Sequence, residues 1–115
     1  MKLDNVVAVL PVEEFDAARL WYESLLGRAP DMEPMDDTAE WQIAENAWIQ
    51  VSVNPATAGK TGVVLGVADL DAHMGDLRDA GIDVGDIVEY PGVVKTLDVD
   101  DPAGNTITFV QDLQV

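Results

Sequence analysis

The side chains best suited to chemistry in this chain lie on short alternating runs, and they favour binding over catalysis. The run "AWIQVSV" places Trp48, Gln50 and Ser52 at every second position, and "NTITFVQ" places Thr108 in a similar row. An indole stacks on a planar or cationic group while an amide fixes its orientation, so these residues suit the wall of a small-molecule site. Trp48 would equally suit filling such a cavity or sealing a dimer contact.

The groups that usually carry nucleophilic or acid–base catalysis are scarce. The chain has no cysteine and a single histidine, His73, which lies in a helical pattern. A thiolate is therefore excluded, and a Ser-His-Asp arrangement has only one histidine to draw on. We interpret His73 as a helical residue outside any cavity. Asp98 lies two residues after Thr96 and therefore on the same side of its strand, which could face a cavity. The simpler interpretation is that Asp98 lies at a solvated rim.

The charge of the chain excludes some functions. It carries 22 Asp and Glu against six Lys and Arg, a net charge of −16. Such a surface repels phosphate backbones and anionic lipids, so we expect no nucleic-acid or membrane partner. Solubility, a salt-rich habitat, and steering of a cationic ligand all remain open as explanations. No apolar run could span a bilayer and no signal-peptide layout precedes the first strand, so we expect a cytoplasmic protein.

An internal repeat organises the chain. A length of 115 residues fits one domain, residues 1–115. A shift of 55 positions aligns "VAVLPVEEFDA" with "GVVLGVADLDA". The repeat therefore predicts two modules of similar plan, at about 1–55 and 56–115.

Each module begins with a β-rich run and continues with helical spacing. In the first helix, apolar residues recur at three- and four-residue steps up to Gly27, which we expect to cap it. The second helix pattern ends before Gly81. Short runs separated by turn residues follow each helix: "AEWQIAE" and "AWIQVSV", then "IDVGDIVEY", "VVKTLDV" and "NTITFVQ". The unit is β-α-β-β-β, although "DMEPMDD" leaves the boundaries of one strand open.

Alternation along each strand separates a core face from a second, partly polar face. Ile49 and Phe109 belong to the predicted core, whereas Val7 of the opening strand faces away from it with Trp48 and Gln50. The partly polar face is the candidate wall of a cavity. In "DPAG", the Asp, Pro and Gly have the pattern of a type I turn, so we assign this segment a structural role.

The motifs together resemble the vicinal oxygen chelate superfamily, which includes glyoxalase I, extradiol dioxygenases and bleomycin-binding resistance proteins. The resemblance rests on "LPVEEFDAARLWYESLLG", its counterpart "LGVADLDAHMGDLRDAG" and the closing "DPAGNTITFVQ". It implies an α+β fold in which two βαβββ modules form a U-shaped mixed sheet around a cavity, with the helices on the outer face. It also implies a homodimer.

The metal-dependent members of this superfamily hold a divalent ion with His, Gln or Glu on four strands. The resemblance places those positions at Val7, Gln50, Gly62 and Thr108. Valine and glycine have no side-chain donor and threonine is a poor one, so we expect neither a metal nor another cofactor. A one-residue shift of the alignment brings no His, Asp or Glu into the strand segments around Val7, Gly62 and Thr108.

The resulting hypothesis is a metal-independent protein that binds a small organic ligand, for which the acidic surface favours a cation. We expect Trp48, Gln50, Ser52, Thr108 and Val7 to contact that ligand. Two alternatives remain: a lyase, dioxygenase or isomerase with a site that the motifs do not reveal, and an assembly or regulatory domain.

Overall fold

The computed structural model describes residues 1–114 and contains two helices and eight strands. The strands are β1 (Val6–Val12), β2 (Met32–Met35), β3 (Thr38–Ala44), β4 (Ala47–Val53), β5 (Gly62–Gly66), β6 (Val88–Tyr90), β7 (Val94–Asp100) and β8 (Thr106–Asp112), and the helices are α1 (Phe15–Leu26) and α2 (Leu70–Asp79).

The strands form two mixed sheets of the same topology. The first has the order β1-β4-β3-β2 and the second the order β5-β8-β7-β6. In each sheet the opening strand runs parallel to the last strand of its module, and the remaining neighbours are antiparallel. This confirms the predicted α+β fold of two βαβββ modules.

The strands match the predicted runs best where apolar and polar residues alternate without interruption. The run "AWIQVSV" coincides with β4. In contrast, only Val88–Tyr90 of "IDVGDIVEY" forms a strand. Glycine and aspartate are poorly suited to strands, and both interrupt the earlier part of that run. The open question at "DMEPMDD" is answered by the short strand β2.

Both helices contribute to one hydrophobic core. Tyr22 and Leu25 of α1, and Leu70 and Leu77 of α2, are buried in a cluster with the apolar faces of both sheets. Gly27 ends α1 in a left-handed conformation, with φ 77°, and its N–H donates to the carbonyl of Glu23. The predicted cap is therefore confirmed. At the start of α2, the Asp69 carboxylate accepts a hydrogen bond from the N–H of Ala72.

A buried polar clamp joins the two modules. We use "clamp" for Tyr22, Asp101 and Asn105. The Tyr22 hydroxyl donates to Asp101 Oδ2 at 2.7 Å, and Asn105 Nδ2 donates to the same oxygen at 2.8 Å. Asn105 Nδ2 also donates to the carbonyl of Pro11 at 2.7 Å. The clamp therefore ties the end of β1 and the middle of α1 to the turn before β8.

The clamp explains how a carboxylate is accommodated in the core. Asp101 Oδ1 accepts the N–H groups of Ala103, Gly104 and Asn105, each at 2.9 Å. With the two side-chain donors, five hydrogen bonds replace the water that the carboxylate loses.

The edges of the two sheets differ in how they are protected. The outer edges are β2, which contains Glu33 and Pro34, and the three-residue β6, which contains Glu89. Charge, proline and shortness all discourage pairing with another strand. The inner edges, β1 and β5, have the sequences VVAVLPV and GVVLG, without a charged residue. Apart from Pro11 near the end of β1, the inner edges lack these protecting features and are better suited to a further strand.

Within residues 1–114, neither helix has the length and apolar character needed to cross a membrane.

Candidate ligand site between the two modules

The first sheet presents a partly polar face on the side away from α1. Cross-strand register places Val7 beside Trp48, Val9 beside Gln50, and Pro11 beside Ser52. Ile49 and Val51, with the opposite parity, are buried in the core. We call the face that carries Val7, Val9, Trp48, Gln50 and Ser52 the first open face. The structure thus brings four of the five predicted ligand residues onto one surface.

The second sheet has an equivalent face, on which the fifth predicted residue lies. Thr108 pairs with Val64 on one side and with Asp98 on the other. We call the face that carries Val64, Thr106, Thr108, Asp98 and Asp100 the second open face. Ile107 and Phe109 point the other way and are buried, as their alternation predicts.

Each open face also holds a carboxylate. The sequence did not point to Glu40, and it favoured a solvated rim position for Asp98. Gln50 Nε2 donates to Glu40 Oε2 at 2.6 Å, and Thr108 Oγ1 donates to Asp98 Oδ1 at 2.6 Å. On the second open face, Thr106 Oγ1 also donates to Asp100 Oδ1, at 2.9 Å. Alternation alone gave Asp98 the parity to face a cavity, but the partner of Gln50 lies ten residues away and depends on register.

An apolar groove of about 480 Å³ lies between the modules, where β1 and β5 approach each other. Trp48 contributes to one wall, and residues 63–66 of β5 contribute to the other. Leu26 at the end of α1 and Phe109 of β8 also line the groove. Its size and apolar walls suit a small organic molecule. Trp48 is the one predicted ligand residue that lines it directly, while Gln50 lies one position further along the same face.

A smaller cavity, of about 180 Å³, lies at the beginning of α1. Glu13 and Glu14 line it together with Pro102 and Ala103. None of the predicted ligand residues contributes to this cavity. The groove is therefore the better candidate site.

The superfamily's divalent metal does not fit the donors that this chain provides. Val7 and Gly62 offer no donor atom, and the polar groups of Gln50 and Thr108 are hydrogen-bonded to Glu40 and Asp98. Within residues 1–114, no three His, Asp or Glu side chains come close enough to hold an ion. A bound divalent ion needs several convergent nitrogen or oxygen ligands, which this arrangement does not supply.

Trp41, Trp21 and His73 contribute to packing. Trp41 is fully buried, and its indole Nε1 donates to the carbonyl of Arg28 at 2.9 Å. Trp21 packs edge-on against Tyr22, with 4.9 Å between ring centroids. His73 is half-buried on α2 and lies against Phe109, with 4.4 Å between centroids. These contacts give all three residues packing roles.

Three of the six Lys and Arg side chains are paired with surface carboxylates. Arg19 contacts Glu23 and Glu33, Arg28 contacts Asp31, and Lys95 contacts Asp71. The backbone N–H of Gln42, followed by Arg28, lowers the pKa of Asp31 from its usual value. Glu40 and Asp98 take part in none of the ion pairs found in the described part of the chain. The two open faces therefore carry uncompensated negative charge.

Comparison with known proteins places the chain in a family. A glyoxalase/bleomycin resistance protein from Catenulispora acidiphila DSM 44928 is 33% identical, with a TM-score of 0.88 over 93% of this chain and 96% of that one. A bleomycin-binding protein in complex with bleomycin is 17% identical, with a TM-score of 0.78 over 96% and 99% of the two chains. A lactoylglutathione lyase from Agrobacterium tumefaciens is 14% identical, with a TM-score of 0.77 over 92% and 91%.

These three likenesses carry different weight. The bleomycin-binding protein and the lyase show a shared fold alone, because their identities are low. No protein-family model and no curated protein matches the sequence. The first likeness combines substantial identity with nearly complete coverage of both chains, in agreement with the resemblance carried by the motifs. The chain belongs to the glyoxalase/bleomycin resistance protein family, within the vicinal oxygen chelate superfamily.

Proposed function

We propose that this chain is a metal-independent binding protein that encloses a small organic ligand and works as a homodimer. The observation that carries the proposal is the combination of the apolar groove with the donor set at the superfamily's metal positions. Val7 and Gly62 contribute no donor atom, and Gln50 and Thr108 are engaged with carboxylates. The groove meanwhile provides apolar area and an indole for a ligand.

The groove explains how a ligand would be retained without a metal. Burial of apolar surface contributes roughly 25 cal/mol per Å² removed from water. Trp48 provides aromatic surface in the groove, and Gln50 of the first open face follows Trp48 on the same side of β4. Apolar burial would supply affinity, and the polar groups would set orientation. The negative charge of the open faces favours a cationic ligand.

The proposal is tested first by a native mass spectrum of the purified protein after addition of zinc, nickel and manganese. We expect a metal-free dimer, and an additional organic mass would identify a co-purified ligand. Stoichiometric metal together with chelator-sensitive turnover would overturn the proposal and favour a lyase or dioxygenase.

A dye titration then locates the site. We expect the uncharged dye Nile red to bind in the groove and the substitution Val64→Lys to weaken that binding about tenfold, because it brings a charge into an apolar wall. The matched control is Leu20→Lys on α1: Val64 is 67% exposed and Leu20 62%, so neither change should unfold the protein. Equal binding by the wild type and both variants would place the ligand elsewhere.

A further inference from the structure

A further cavity, of about 210 Å³, lies between the end of α1 and one side of α2. We call it the interhelical pocket. Its polar side chains are Ser24 on α1 and His73 and Asp76 on α2. His73 and Asp76 are three positions apart and so lie on the same side of the helix. Leu26 is the one residue that lines both this pocket and the groove. The sequence interpretation, which placed His73 outside any cavity, is therefore wrong.

His73 brings an unsatisfied polar atom to the interhelical pocket. Its Nε2 is the one buried side-chain nitrogen or oxygen in residues 1–114 that has no hydrogen-bond partner. Buried polar atoms in folded proteins nearly always have such a partner, because burial without one costs free energy. The ring lies against the apolar ring of Phe109, which provides no conventional partner. The imidazole therefore has hydrogen-bonding capacity that the protein itself does not use.

Asp76 gives the pocket a negative charge that no cation of the protein cancels. Among the described residues, no Lys or Arg forms an ion pair with it. Arg78 is only two positions further along α2, but residues two apart do not face each other on a helix. The carboxylate of Asp76 is therefore available to a ligand in the pocket.

The end of α1 adds partial negative charge to the same pocket. The last turn of α1 contains no basic residue, and the carbonyls of residues 24–26 accept no backbone N–H in the described part of the chain. Free carbonyls at a helix C-terminus carry the negative end of the helix dipole. Arg28, the nearest cation along the chain, is engaged with Asp31 and with the carbonyl of Gln42. The pocket is therefore rich in acceptors, and no Lys or Arg lines it.

We propose that the interhelical pocket is a second binding site, which takes the ammonium group of a small primary amine. The ammonium group donates a charge-assisted hydrogen bond to Asp76 and another to the imidazole of His73, which thereby gains the partner that it lacks. Leucine and alanine side chains of both helices surround the short carbon chain. This site lies apart from the groove and does not rest on the proposed function.

The test is an NMR titration of the intact protein with propylamine and with propan-1-ol, which has the same size but no charge. The chain has a single histidine, so its imidazole signals report on His73 directly. We expect propylamine to shift these signals saturably and to bind at least tenfold more tightly than the alcohol. Asp76→Asn should weaken propylamine about tenfold, because it removes the charge and keeps the size of the side chain.

The matched control is Asp79→Asn. It removes the same charge from an exposed position on α2 that does not line the pocket, and Asp76 is exposed as well, so neither change should unfold the protein. We expect Asp79→Asn to bind propylamine as the wild type does. Equal losses in the two variants, or equal affinity for the amine and the alcohol, would overturn the inference, because overall charge or apolar contact would then explain the binding.

A competition experiment separates this site from the groove. Saturating Nile red should leave the propylamine titration unchanged, and displacement of the amine would place it in the groove and overturn the inference. If propylamine does not shift the His73 signals while Nile red binds the wild type, the inference fails and the proposed binding function stands.

Discussion

At the scale of single residues, the clamp shows how separate sequence motifs combine. Tyr22 belongs to the "WYESLLG" motif and Asp101 to "DPAGN", and their side chains meet at 2.7 Å. The sequence predicted a structural turn and an apolar helix face, but not the hydrogen bond between them. Burial, and then the hydrogen bond to Asp101, raise the pKa of Tyr22 far above its ordinary value.

This pKa shift predicts a pH dependence of stability. Because the pKa of Tyr22 is higher in the folded state than in the unfolded state, its contribution is fully present below the unfolded pKa of about 10 and is lost at higher pH. We expect Tyr22→Phe to lower the free energy of unfolding by about 1–3 kcal/mol near pH 7, since Asp101 loses a donor. The difference between the two proteins should shrink above about pH 10. Urea denaturation at a series of pH values measures it, and a constant difference across that range would contradict the assignment.

At the residue scale, alternation predicted correctly which strand side chains face the core. Trp48, Gln50 and Thr108 face away from the core as their parity requires, and Phe109 faces it. The partner of Gln50 was out of reach. Register between β3 and β4 shifts between Gln42 and Ala44, and such an irregularity moves every subsequent pairing. The Glu40–Gln50 contact therefore required the structure.

At the scale of elements, the segment after β4 makes a close backbone approach to the turn before β8. The N–H of Gly59 donates to the carbonyl of Pro11 at 3.3 Å. A Cβ atom at Gly59 would lie 2.1 Å from the carbonyl oxygen of Ala103. Glycine is needed at Gly59 both for its φ of +75° and for this contact.

A pair of substitutions separates the two requirements. Gly27 has nearly the same conformation, with φ +77°, but open space around the position of a Cβ atom. Gly27→Ala should cost about 1–2 kcal/mol from backbone conformation. We expect Gly59→Ala to cost roughly 1–3 kcal/mol more, because the backbone of the turn must also move. Denaturant midpoints compare the two variants, and equal losses would show that the loop yields without strain.

At the scale of the whole molecule, the sheet edges suggest where two copies associate. The outer edges are protected by charge, proline or shortness, whereas the inner edges carry no charged residue. An uncharged apolar edge strand invites another strand to pair with it. We therefore expect the proposed homodimer to use β1 and β5 rather than β2 and β6. Such an interface would cover the groove, so that association and ligand binding would reinforce each other.

Two matched lysine substitutions test this arrangement. Val6 on the inner edge and Met35 on the outer edge are both 62% exposed. We expect Val6→Lys to shift the protein towards monomers and Met35→Lys to leave the dimer intact, because only the first places a charge at the interface. Analytical ultracentrifugation over a range of concentrations measures the change. Dissociation by Met35→Lys alone would move the interface to the outer edges.

The clamp also has a consequence for the order in which the protein matures. Tyr22 and the carbonyl of Pro11 find their partners 79 and 94 residues later in the chain. On the ribosome, residues of β1 to β4 emerge long before Asp101 and Asn105, so the first module is exposed with its buried polar groups still unsatisfied. The first module reaches its full stability only after the turn that contains Asp101 and Asn105 has been synthesised. Synthesis of the final β-hairpin should thus act as a checkpoint, before which the nascent chain is most open to chaperones and proteases.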